Sequence, residues 1–264
     1  MTYDSEAPAP EAAPAEPAGE AAPEANGPPS EAGWSELQPG EELIDIAFVP
    51  NGDRLRLVSN GEDFVILLDH NELMSTDVFA SEEALAQLVC DRLGARDDVQ
   101  LLIGGYGLGF TLRAALAVLA DDAEVTVAEI VPKIVDWARG PMQRLTAGCL
   151  DDRRVQLVQD DVAMLIDAAK GAYDGILLDV DNGPEGLTRR INDWLYAPEG
   201  LEAARLALRP KGILAVWSAT PDPVFVERLE AKGFTVTVEP VDARTEEPTD
   251  GTGWKHVVIL AQLG

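Results

Sequence analysis

Cysteine and histidine are almost missing from this chain, with two of each in 264 residues. Cys90 and Cys149 cannot build a disulfide framework and lack the paired spacing of a metal site. His70 and His256 lie far apart in sequence, so no histidine-based metal centre is expected. No apolar run reaches membrane-spanning length, and the first residues lack the basic-then-apolar order of a secretory signal. These absences predict a soluble protein of the reducing cytoplasm with no membrane partner. Basic residues are scarce too: Lys and Arg number 20 against 47 Asp and Glu, for a net charge of -27. Such a surface repels nucleic acid and attracts cations, polyamines among them.

What is present falls into three parts. Residues 1–41 are rich in Ala, Pro, Glu and Gly; the first 42 hold ten acids and no Lys or Arg. That composition predicts a disordered acidic tail. Residues 42–78 form a β-hairpin region, with strands expected at 43–49, 54–58 and 64–68. Asn51-Gly52 and Asn60-Gly61 separate them, and such pairs favour tight hairpin turns. Residues 73–77 are expected to be a connection. The third part, 79–264, is expected to be an α/β domain.

That domain opens on Ser81, a candidate N-cap, with Glu82 and Glu83 in the first turn of a helix reaching about residue 93. Cys90 would be a small buried residue within it. Strands are then expected at 99–103, 124–129, 155–159, 175–179 and 213–218. Helices are expected between them at 111–120, 132–145, 162–169 and 198–208. A helix at 223–232 and strands at 235–241 and 255–261 close the chain, with a polar loop at 245–253. Lys211-Gly212 and Lys232-Gly233 are taken as helix ends. Strand–helix alternation of this kind predicts a parallel sheet covered on both faces.

The chain is organised around its first α/β turn. The apolar run at 99–103 ends in Gly104, Gly105, Gly107 and Gly109, and a helix follows at once. Glycines there let a ligand approach the backbone, and the helix N-terminus offers free N–H groups. The spacing is not the G-x-G-x-x-G of dinucleotide folds. Ligands of such sheets bind beyond the carboxyl ends of the strands. The second strand ends in Glu129, twenty residues beyond Gly109, where a carboxylate accepts both hydroxyls of a ribose. The third ends in Asp160-Asp161; Asp161 would either accept an adenine amino group or cap the next helix. The fourth ends in Asp179 and Asp181, paired carboxylates that could hold a cationic substrate and accept its proton. Tyr106, Tyr196 and Trp217 are expected to be packing residues, with a cation–π wall as the alternative, and His256 is expected to be structural.

These motifs together resemble the spermidine synthase family. Residues Ile103 to Arg113 resemble the family's I-G-G-G-D-G-G-T-L-R loop with one residue inserted. Val127-Ala128-Glu129-Ile130 resembles V-E-I-D, and Asp160-Asp161 falls at the family's G-D. Leu178 to Pro184 falls on L-D-S-S-D-P, and Arg209 to Leu214 on K-P-G-G-I-L. The resemblance implies a methyltransferase-type, doubly wound seven-stranded sheet with a small N-terminal antiparallel β meander. It implies transfer of an aminopropyl group from decarboxylated S-adenosylmethionine to a small amine such as putrescine. By the same carry-over Gly104, Gly105, Gly107 and Gly109 cradle the S-adenosyl ligand, Glu129 holds ribose, Asp160 and Asp161 flank adenine, and Asp179 receives the amine, with Asp181 beside it. A homodimer is left open.

The chain departs from the pattern in places. The family's acid within the Gly loop is replaced around Tyr106-Gly107, and its D-E-F-x-Y-H-E segment reads Asp77-Val78-Phe79-Ala80-Ser81-Glu82-Glu83. A Gly loop without an acid favours a ligand that keeps its carboxylate. Intact S-adenosylmethionine and methyl transfer to another small acceptor, or a non-catalytic binding role, therefore stand as alternatives.

Overall fold

The computed structural model describes residues 37–50, 52–69, 71–180, 189–244 and 255–264, with the backbone alone at 189–192. The acidic tail up to residue 36, Asp181 and the 245–253 loop lie outside the described residues. Ser35–Gly264 is one compact unit.

Four strands come first: β1 (Glu42–Phe48), β2 (Arg54–Asn60), β3 (Asp63–Leu68) and β4 (Asn71–Ser75). They form an antiparallel sheet in the order β1-β2-β3-β4. The strand β4 corrects the expected connection at 73–77. Its ladder places Met74 opposite Ile66 and Ser75 opposite Val65, so pairing extends a run whose polar residues suggested a turn.

Then follow α1 (Ala80–Leu93), β5 (Gln100–Gly104), α2 (Phe110–Val118), β6 (Glu124–Ala128), α3 (Pro132–Arg139) and α4 (Gln143–Thr146). Next come β7 (Val155–Val158), α5 (Val162–Ala168), β8 (Tyr173–Leu178), α6 (Arg189–Tyr196), α7 (Pro198–Ala207) and β9 (Leu208–Ser218). The chain ends with α8 (Pro223–Ala231), β10 (Thr235–Asp242) and β11 (Lys255–Gln262). The large sheet has seven strands in the order β10-β11-β9-β8-β5-β6-β7. Five strands run parallel, while β11 pairs antiparallel with both β9 and β10.

The sheet is buried on both faces, and its strands alternate accordingly. Leu101 and Ile103 of β5, Leu177 of β8 and Ala215 of β9 enter one core. Leu102, Ile176, Leu178 and Leu214 point into the other. The first core also takes in Leu55, Leu57 and Ile66 of the small sheet, so the two sheets share packing. A polar tie reinforces this. Trp137 Nε1 of α3 donates to Asp45 Oδ2 of β1 at 2.9 Å, and Lys133 Nζ lies 2.8 Å from the same oxygen.

Three local expectations are corrected. Residues 132–145 are not one helix: α3 ends at Gly140, and Pro141 cannot extend the ladder. Lys211-Gly212 is not a helix end but an irregularity inside β9, where Lys211 takes φ 62. Ser81 is not the cap of α1. Phe79 holds that position, and the Ser81 hydroxyl turns inward. The helix α6 was not expected.

Candidate active site

The Gly loop leaves β5 and enters α2 through three left-handed glycines, Gly105, Gly107 and Gly109. All three meet close neighbours, and two of these belong to other elements. A Cβ on Gly105 would lie 2.5 Å from the Asp179 carbonyl oxygen, and one on Gly107 would lie 2.6 Å from Met74 Sδ. The loop is thus pinned between β8 and the N-terminal sheet. Gly105 and Gly107 line a cavity, whereas Gly104 packs on Leu178 and Val162, and Gly109 lies under the Tyr106 ring.

Glu129 stands just beyond β6 and is 4% exposed. Its Oε2 accepts the Tyr106 N–H at 2.9 Å and its Oε1 accepts the Val131 N–H at 2.8 Å. Burial pushes its carboxyl up, and these backbone bonds pull the other way. The backbone N–H groups of Gly107 and Ile130 also act on this carboxyl, which is held on the cavity wall. Asp160 and Asp161 line the same cavity, with Ile130, Val131 and Val180 as apolar neighbours. Asp161 caps α5, its Oδ1 accepting the Ala163 N–H at 2.8 Å. It therefore occupies the capping position while also facing the cavity. The resulting cleft is lined by carboxylates and apolar side chains together, a chemistry that suits a nucleoside.

Asp179 follows β8 and lies at the seam between this cleft and a second cavity. Its Oδ2 accepts the Thr111 hydroxyl at 2.8 Å. Burial pushes its carboxyl up to about 6, and the Thr111 bond opposes that rise. A carboxylate of that strength is suited to receive a proton near neutral pH. Asp181, its expected partner, lies outside the described residues.

The second cavity is walled by Glu72 and Met74 of β4, Glu82 of α1, Trp217 of β9 and His256 of β11. Trp217 Nε1 donates to Ser81 Oγ at 2.9 Å, and Ser81 Oγ lies 2.8 Å from His256 Nδ1. The Ser81 hydroxyl can accept from Trp217 and still either donate to or accept from Nδ1, so the imidazole tautomer sets the direction of that bond. Burial pushes His256 down, in keeping with a neutral ring. Glu82 is the residue that sequence reasoning missed. Its position in the first turn of α1 signalled only a favourable helix dipole. Burial pushes its carboxyl well up, and the charges of Asp179 and Glu83 add to that. Tyr106 and Tyr196 are buried packing residues, as expected, whereas Trp217 and His256 reach this second cavity.

Strand order, Gly loop and post-strand carboxylates define the methyltransferase-like class of doubly wound folds. Within that class, residues 78–237 match the spermine/spermidine synthase domain, and the chain belongs to that family. It is 26% identical over 157 residues to a polyamine aminopropyltransferase of Sulfolobus acidocaldarius, covering 59% of this chain and 50% of that one. It is 28% identical over 167 residues to polyamine aminopropyltransferase 1 of Streptomyces coelicolor, covering 61% and 29%. The chain spans half or less of the length of these relatives. Among solved structures, spermidine synthase from Thermotoga maritima superposes with a TM-score of 0.64 at 21% identity, over 84% of this chain and 73% of that one. Among the described residues no helix is long and apolar enough to cross a membrane.

Proposed function

We propose that the protein is a transferase that moves an aminopropyl group from decarboxylated S-adenosylmethionine to a small amine such as putrescine. One observation carries this reading: Asp179 forms a wall of both the nucleoside-type cleft and the acidic cavity. A donor in the first and an amine in the second meet at one carboxylate. The cleft suits the donor's nucleoside: Gly105 and Gly107 give backbone access, Glu129 takes the ribose hydroxyls, and Asp160 and Asp161 lie beside the base. Asp179 orients the amine and takes its proton. The amine nitrogen forms a bond to the aminopropyl carbon as the carbon–sulfur bond breaks. The bonding pair stays on sulfur, so a sulfonium leaves as a neutral thioether. Positioning and exclusion of water supply most of the help that such a displacement needs.

The acidic lining also speaks to the form of the donor. A ligand carboxylate near Asp179 would meet like charge, whereas an ammonium tail would meet opposite charge. The competing reading, methyl transfer from the intact ligand, draws on the missing loop acid, since Met74 packs against Gly107 where that acid would stand.

Calorimetric titration with intact and decarboxylated S-adenosylmethionine, followed by product analysis with putrescine, separates the two. Tighter binding of the decarboxylated form with consumption of putrescine is expected. Tighter binding of the intact form, with a methylated product, would overturn aminopropyl transfer.

A further inference from the structure

The acidic cavity holds a carboxyl that amine activation at Asp179 does not use. Glu82 Oε2 is closed to solvent and has no hydrogen-bond partner. A buried polar atom left unpaired is destabilising, and native structures rarely retain one without a use. The nearby donors are engaged elsewhere. Trp217 Nε1 donates to Ser81 Oγ, and Ser81 Oγ pairs with His256 Nδ1. The Thr111 hydroxyl is given to Asp179, with only a longer 3.3 Å contact to the Glu82 carbonyl. The charged and titratable groups facing Glu82 are Asp179 beyond β8, Glu83 on its own helix, Glu72 on β4, His256 on β11 and Arg244 beyond β10. Arg244 is the cation among them, and it is exposed. Among the described residues, the cavity therefore has a buried acceptor and no buried positive charge to meet it.

We propose that Glu82 binds a primary alkylammonium group of a substrate, forming with Asp179 a two-carboxyl receptor for an amine chain. The inference rests on the aminopropyl-transfer reading for the identity of its ligands. Two sources supply that chemistry: the amine acceptor, and the aminopropyl tail of the decarboxylated donor. Glu82 exchanges its carboxyl proton for the ammonium, so binding releases one proton to the buffer.

The experiment is calorimetry of putrescine and, separately, of decarboxylated S-adenosylmethionine with the full chain. Buffers of two ionisation enthalpies report the proton released. The proteins are wild type, Glu82→Gln, Glu82→Asp and Glu83→Gln. Glu82→Gln is expected to weaken one ligand by about 10- to 100-fold, the range for a lost hydrogen bond to a charge, and to abolish proton release. Glu82→Asp keeps an ionisable carboxyl and retains the release. Glu83→Gln, next to Glu82 but outside the cavity lining, leaves affinity within about threefold. Weakening of putrescine assigns the acceptor; weakening of the decarboxylated ligand assigns the donor tail. Wild-type affinity and proton release for both ligands in Glu82→Gln would overturn the proposal, whatever the turnover. Binding with the Glu82 signature but no transfer would overturn the transferase reading and leave the ammonium site standing. Wild-type protein that binds neither ligand would overturn both.

Discussion

Removing the Thr111 hydroxyl perturbs the proposed base without touching its carboxyl. Thr111 Oγ1 lies 2.8 Å from Asp179 Oδ2, and this bond is what holds the Asp179 carboxyl, pushed up to about 6, from rising further. Thr111→Val keeps the shape and deletes the donor. A hydrogen bond to a charged group contributes about 1.5–3 kcal/mol. Asp179 is only half-buried, so water recovers part of that. A net loss of about 1.4 kcal/mol corresponds to about one pH unit. The sign is upward, because the lost bond favoured the ionised form. The assay is the pH dependence of kcat/KM for the amine at saturating donor. Wild-type activity rises with pH through the Asp179 transition, and in Thr111→Val that limb moves up by about one unit. Near pH 6 the variant falls about fivefold, and well above the limb it recovers. Thr111→Ser keeps the hydroxyl and the wild-type limb. An unmoved limb in Thr111→Val, or an equal shift in Thr111→Ser, would refute the assignment of Asp179 as the group that titrates.

Glu129→Ala removes both carboxylate oxygens from the cleft and frees the N–H groups of Tyr106 and Val131; calorimetry should show S-adenosyl ligand affinity reduced at least about 100-fold, and unchanged affinity would exclude Glu129 from the site. Asp179→Asn tests the burial of that carboxyl through stability. A raised folded pKa means the wild type loses stability as pH rises through about 6. The Asn variant should therefore be inactive yet about 1–2 kcal/mol more stable at pH 8, with no such difference below pH 4, by urea unfolding. Gly105→Ala should be more destabilising than Gly61→Ala in the same assay. Both sites have positive φ, which carries about 1–2 kcal/mol for an L side chain, but only Gly105 faces backbone at 2.5 Å while Gly61 faces open space. Asp174→Ala should cost about 2–3 kcal/mol, because this buried carboxylate accepts from Arg96, Arg209 and the Gln100 N–H while the two arginines stay partly hydrated; a change under about 0.5 kcal/mol would show that the cluster adds little.

The large sheet was legible because its signals are local. Each strand is an apolar run, and each ends at a glycine, a carboxylate or a cap, so Gly105, Glu129, Asp161 and Asp179 could be placed from the pattern alone. What escaped was set by contacts distant in sequence. The strand β4 reads as a turn and becomes a strand only because β3 offers a ladder. Ser81 looks like a cap because Glu82 and Glu83 follow it. Its hydroxyl instead pairs with Trp217 and His256, far along the chain, and the helix starts without it. Glu82 carried only the signal of a first-turn acid, since the walls that close around it come from β4, β9 and β11. The break at Gly140-Pro141 is different: that pair is a local breaker, and the amphipathic run on either side masked it.

Leu73 and Met74 of β4 line both cavities, as Asp179 does. On the proposed reading, a substitution at either residue alters two affinities at once, whereas Glu72 and Ser75 of the same strand line the second cavity alone. Changes that adapt the proposed site to a new amine while sparing the donor fall on residues of the second cavity alone, such as Trp217, Ala219 and His256. Leu73 and Met74 are thus the conservative side of the proposed site, and the residues of the second cavity alone are where new substrates can be explored one mutation at a time.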